Sequence, residues 1–170
     1  GRALVHFAVS NQEVQMTTAL DCLDTSFLPF NQGNNGHAGN PVNPQGSDTA
    51  YLWEEVFEPE LFLRILRDYA LWEPSSKGNK GRLIFPRYHQ LRATEKVIDD
   101  IAARGAGGRY LIQHSAGSGK TKTIAWMAHR AGRFIDASGK PIFDSVIVVT
   151  DRTVLDDNID PLLDLIRDVA

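Results

Sequence analysis

Residues 109–121, Arg109-Tyr110-Leu111-Ile112-Gln113-His114-Ser115-Ala116-Gly117-Ser118-Gly119-Lys120-Thr121, run from an apolar stretch into a turn with two glycines and then into helical sequence. These types at this spacing suit one chemistry, the grip on a polyphosphate. A backbone that wraps phosphate oxygens must turn several N–H groups inward, and Gly117 and Gly119 permit the dihedrals and the close approach this requires. Lys120 can reach the β- and γ-phosphates, Thr121 can hold Mg²⁺ through its hydroxyl, and the next helix offers its positive dipole end. The candidate phosphate-binding set is therefore Ser115, Ala116, Gly117, Ser118, Gly119, Lys120 and Thr121, with Thr121 the metal-facing member. His114 stands where the G-x-x-x-x-G-K-[ST] pattern has its first glycine.

The rest of the chain must position that loop. At 170 residues and 42% hydrophobic, it is long enough for one domain or parts of two. No apolar run approaches the ~20 residues of a membrane helix, and Gly1-Arg2-Ala3-Leu4 does not open a signal peptide, so the cytoplasm is the expected compartment and no membrane partner is expected. Cys22 is the single cysteine, which excludes an internal disulfide and a multi-cysteine zinc site; a small buried apolar role is expected for it. The net charge of −3 conceals an asymmetry: residues 1–76 carry −7, residues 77–133 carry +9 and residues 134–170 carry −5. The basic excess surrounds the phosphate loop, as suits a segment that faces nucleotide or nucleic-acid phosphates.

In chain order, residues 3–10 and 13–20 read as strands of an antiparallel hairpin around Ser10-Asn11-Gln12, with His6 a structural residue inside the first. A strand at the chain's start is expected to follow upstream sequence. From Phe27 to Thr49, Asn, Gly, Pro and Gln dominate, and a long loop docked by Phe27-Leu28-Pro29-Phe30 is expected. Asp48 or Thr49 is expected to cap a helix over 51–57, and Pro59 to start another through residue 70 with Leu61, Phe62, Ile65, Leu66 and Tyr69 inward. Pro74-Ser75-Ser76-Lys77-Gly78-Asn79-Lys80-Gly81 breaks all periodicity, which sets domains at 1–73 and 83–170 with a linker at 74–82. A helix from Arg87-Tyr88-His89-Gln90 to Gly105 should turn Leu91, Ile98 and Ile101 inward, and helix 120–134 should bury Ile124, Met127, Ala128 and Ala131. Ser145-Val146-Ile147-Val148-Val149-Thr150 reads as a strand covered on both faces, giving a strand–loop–helix–strand unit of a parallel α/β sheet. The tail is expected to form short helices broken at Asp160-Pro161.

Several stretches together resemble the restriction (R) subunit of type I restriction-modification enzymes, in which a nuclease domain precedes two RecA-like motor domains of the superfamily 2 helicase kind. They are Leu4-Val5-His6-Phe7-Ala8-Val9, Phe27-Leu28-Pro29-Phe30-Asn31, Ala38-Gly39-Asn40-Pro41, Tyr51-Leu52-Trp53-Glu54, Phe85-Pro86-Arg87-Tyr88-His89-Gln90, Gln113 to Thr121, and Val148-Val149-Thr150-Asp151-Arg152. The resemblance covers nearly the whole chain and accommodates His114, since that family's loop looks like His-Ser-Ala-Gly-Ser-Gly-Lys. It implies ATP and Mg²⁺ as ligands, Arg87 and Gln90 as adenine-binding residues, and Thr150 and Arg152 at the DNA backbone. An amide such as Gln90 can donate and accept at once, which matches adenine's N6–H₂ and N7. Asn158 departs from the glutamine more usual there. The resemblance further implies ATP-driven translocation and cleavage of double-stranded DNA, with methyltransferase and specificity subunits as partners. It places the nuclease's carboxylate–lysine cluster, the Asp-Glu motif and the second motor domain beyond these residues, so that the chain alone is expected to turn over no ATP and cut no DNA. A P-loop kinase and a non-catalytic nucleotide-binding segment are the other classes the residues themselves permit.

Overall fold

The computed structural model describes residues 3–73 and 81–149. The chain divides into two compact units, Gly1–His89 and Gln90–Ala170.

The first unit is built on a three-stranded antiparallel sheet, β1 (His6–Val9), β2 (Val14–Thr17) and β3 (Leu28–Pro29), in the order β1-β2-β3. The expected hairpin forms with Val9 opposite Val14 and His6 opposite Thr17. Its turn is tied by Ser10, whose Oγ accepts the N–H groups of Gln12 and Glu13. Alternation along β2 sends Val14 and Met16 into the core, at 0% and 2% exposure. Phe7 faces the rings of Phe30, Phe57 and Phe85 edge-on, at centroid distances of 5.3, 5.5 and 6.1 Å, an arrangement favoured by the aromatic quadrupole.

The long loop is held by side-chain amides. Asn40 is buried, its Oδ1 accepts the Gln32 N–H at 2.8 Å, and its Nδ2 donates to Gln12 O at 2.8 Å and Asn31 Oδ1 at 3.1 Å. Asn31 Oδ1 also accepts the Val14 N–H, so the loop is fastened to β2. At its tip Asn34 pairs with His37 across Asn35 and Gly36, both at positive φ (49° and 86°), as a mirror-image hairpin turn requires.

Residues Leu52–Val56 form a π-helical turn whose N-cap, Tyr51, makes no side-chain cap. Thr49 does not cap it as expected: its hydroxyl donates to Ser10 O instead, and Asp48 accepts the Asn43 N–H. Helix α1 (Pro59–Asp68) begins at Pro59 as expected, capped by the Glu58 carboxylate on the N–H groups of Glu60 and Leu61. Its inward face is Ile65, with Tyr69 following, both fully buried, while Leu61, Phe62 and Leu66 are half-buried. Strand β4 (Leu71–Glu73) pairs antiparallel with β5 (Arg82–Ile84), and the segment between them, 74–80, lies outside the described residues, as does most of the expected linker. Cys22 is exposed at φ 42° in a 3₁₀ turn (Cys22–Asp24), contrary to the buried role expected: one turn on the surface gives its thiol no core to enter.

Helix α2 (Tyr88–Arg104) carries the division between units, after His89. In the second unit α2 and α3 (Lys120–Gly132) enclose an apolar cluster of Val97, Ile98 and Ile101, packed against Ile112, Met127, Ala131, Phe134, Ile142 and Phe143. Of the face expected for α3, Met127 and Ala131 pack on this cluster, but Ile124 is 40% exposed, and Thr123, Ala125 and Trp126 are the buried residues of the helix. The fully buried Trp126 sets the rotation of the helix, because its indole needs more cover than an isoleucine does. Arg130 of α3 meets Glu95 of α2 at 3.5 Å, both side chains nearly buried.

The described residues thus form a mixed α/β structure with small antiparallel sheets. The expected parallel pairing is not among them: 109–114 and 145–149 run without ladder partners, and Leu111, Ile147 and Val149 are 92%, 82% and 86% exposed. Ile112 nonetheless packs against the cluster of Val97, Ile98 and Ile101, and nothing among the described residues conflicts with a parallel sheet. The tail helices expected around Asp160-Pro161 lie outside the described residues. No helix among the described residues is long and apolar enough to cross a membrane.

Candidate functional site: the loop before α3

The candidate site is the turn between the apolar segment 109–113 and α3. Ser115, Ala116 and Gly117 are exposed, Ser118 is buried, and Gly119 is the N-cap residue of α3. Gly117 and Gly119 have φ of 72° and 81° in the left-handed region, where a side chain is strained. A Cβ on Gly117 would meet nothing within 4 Å, so the backbone there faces open space. No side chain caps the N-terminus of α3, leaving its first N–H groups to whatever anion the loop holds.

Lys120 folds back over the loop: its ammonium donates to Ser115 O at 2.9 Å and lies 3.4 Å from His114 O. The cation therefore sits over the arc that a polyphosphate would follow. The Thr121 side chain is half-buried and makes no hydrogen bond among the described residues, so its hydroxyl can serve a metal ion. Open glycine, helix N-terminus, lysine and uncommitted hydroxyl all fit a Mg²⁺–nucleotide. The metal, when bound, would neutralise phosphate charge; the chain's own part would be to orient the phosphates through its N–H groups and Lys120.

His114 borders this arc with its imidazole half-buried. Burial, and then the positive charge of Lys120, hold its pKa below the usual histidine value. The folded chain binds this proton less readily than the unfolded one, so the associated stability is fully present above about pH 6.5 and is lost as pH falls below it. We expect the His114 imidazole, followed by NMR, to titrate below the ordinary range. In Lys120→Ala its midpoint should rise only part of the way back, because burial is the larger cause; a midpoint that does not move would remove Lys120 as a cause.

Gln90 lies in the first turn of α2 at 2% exposure. Its Nε2 donates to Ser118 O at 3.2 Å and Gly119 O at 2.9 Å, bringing the expected adenine residue against the phosphate loop itself. Arg87 is half-buried and belongs to the first unit. Thr150 and Arg152, expected at the DNA backbone, lie outside the described residues, as does Asn158. No group of three or more His, Cys, Asp or Glu that could hold a metal ion occurs among the described residues.

Sequence reasoning did not anticipate the ion pair of Glu95 and Arg130 that joins the Gln90 helix to the loop's own helix. The available signal was charge within two amphipathic helices: Glu95 falls between Leu91 and Ile98 on α2, and Arg130 one turn after Trp126 on α3.

Comparison with curated proteins and with solved structures gave no match. Residues 89–166 match the family model of the SWI2/SNF2 ATPase, a stretch that takes in most of α2, the phosphate loop and α3, and this similarity marks the stretch as like a superfamily 2 helicase-like ATPase.

Proposed function

We propose that this chain is part of an ATP-driven, double-stranded DNA translocase and endonuclease subunit of the type I restriction kind. In this reading residues 83–170 open the first RecA-like motor domain, 74–82 link it to what precedes, and 1–73 close a nuclease domain. The observation that carries the proposal is the loop at 115–121, with its open glycine and its lysine over the arc, inside a stretch similar to SWI2/SNF2 ATPases. ATP is bound at the loop, Thr121 faces Mg²⁺, and hydrolysis drives movement along DNA. The +9 charge of residues 77–133 supports a polyanionic partner. Methyltransferase and specificity subunits complete the complex, the specificity subunit chooses the DNA site, and the nuclease's metal-holding carboxylates belong to other parts of the intact subunit.

The intact protein with its partner subunits should cut unmodified plasmid DNA only when both Mg²⁺ and hydrolysable ATP are supplied. A non-hydrolysable ATP analogue should stop cleavage while leaving nucleotide binding intact. ATP hydrolysis that double-stranded DNA does not stimulate, with no plasmid cleavage, would defeat the restriction reading and leave only the ATPase.

A further inference from the structure

We propose that Gln90 is a positioning residue for the phosphate loop: from α2 its amide holds the carbonyls of Ser118 and Gly119 and thereby aims two of the loop's N–H groups at phosphate, whatever base the nucleotide carries. The inference rests on the reading of 115–121 as a phosphate-binding loop.

The orientation of the amide follows from chemistry. Ser118 O and Gly119 O can only accept, so the end of the Gln90 amide that faces them at 3.2 and 2.9 Å must be the NH₂. Two carbonyls thus meet a group with two N–H donors, and in this arrangement Gln90 has none left for a ring nitrogen of a base. The contact is also close, since a Cβ on Gly119 would stand 2.5 Å from Gln90 Nε2.

The consequence lies in the two peptide planes. In a trans peptide the C=O and the N–H of one unit point in opposite directions, and no described bond is cis. Drawing Ser118 C=O toward α2 turns the Gly119 N–H the other way, and drawing Gly119 C=O does the same for the Lys120 N–H. Those two groups lie where the loop becomes α3, where backbone donors and the helix dipole act together on an anion. Gly119 O also accepts the N–H groups of Lys122 at 3.1 Å and Thr123 at 3.3 Å, so the same carbonyl starts the helix. Gln90 is itself fixed: Thr94 Oγ1 donates to its backbone carbonyl at 3.1 Å, and Glu95, one residue further on, holds Arg130 of α3. Helix α2 therefore grips α3 twice, by the Gln90 amide where α3 begins and by the ion pair to Arg130 near its end.

Inorganic tripolyphosphate, which has no base, separates positioning from base reading. Its Mg²⁺-dependent affinity for the intact protein should fall about tenfold in Gln90→Met, an apolar replacement of similar length, as expected when hydrogen bonds within a buried polar arrangement are lost. ATP and GTP should lose affinity by the same factor. Gln90→Ala provides a second measurement, and thermal unfolding identifies the variants that retain the native transition. Unchanged tripolyphosphate affinity in either folded variant, with ATP weakened, would overturn the proposal and leave Gln90 a base reader. Lys120→Ala is the separate control: if it binds tripolyphosphate as well as wild type, the phosphate-loop reading fails, independently of Gln90.

Discussion

Replacing Lys120 with alanine should lower DNA-stimulated ATP hydrolysis by the intact protein at least about 100-fold, the usual scale for removing one preorganised charge-stabilising group. The lysine ammonium rests 2.9 Å from Ser115 O, at the arc where phosphate oxygens would lie. In phosphoryl transfer, negative charge spreads over the equatorial oxygens, and water cannot replace a fixed cation there. The fold should tolerate the change because the Lys120 side chain is exposed. A folded Lys120→Ala protein with near wild-type turnover would show that the loop is not the hydrolytic site.

The second large effect is on stability. Glu95→Ala should destabilise the second unit by about 1–3 kcal/mol, because the nearly buried Arg130 side chain would lose the Glu95 carboxylate. Replacing both partners with apolar residues, Glu95→Leu with Arg130→Met, should cost far less than either single change, since the desolvation of two charges disappears with them. Denaturant unfolding of the single and double variants would test this. A double variant as unstable as the singles would mean that packing around these side chains, not charge, holds α2 to α3.

The candidate loop could be picked out because the chemistry proposed for it is local: glycines, lysine and threonine must be adjacent, and adjacency is what a sequence records. The hairpin around Ser10 and the start of α1 at Pro59 were legible for the same reason. The position of Gln90 against Ser118 and Gly119 was not, since that contact joins residues 28 and 29 positions apart. The amide fastening of the long loop was hidden likewise: asparagines read as turn formers, and only the fold brings Asn31, Asn40 and Gln12 together. Asn35-Gly36 was a readable hairpin signal inside a stretch that composition marked only as loop. On α3, periodicity identified a helix but not its rotation, which Trp126 decides by size.

The bare run at 145–149 carries an expectation about self-association. Uncharged, free of proline and rich in β-branched residues, Val146-Ile147-Val148-Val149 is a window through which molecules can pair with one another in register, and Ile147 and Val149 stand open to do so. Asp144, the acid that precedes the run, is placed to oppose that association, so surface engineering for crystallisation or higher yield should leave it in place.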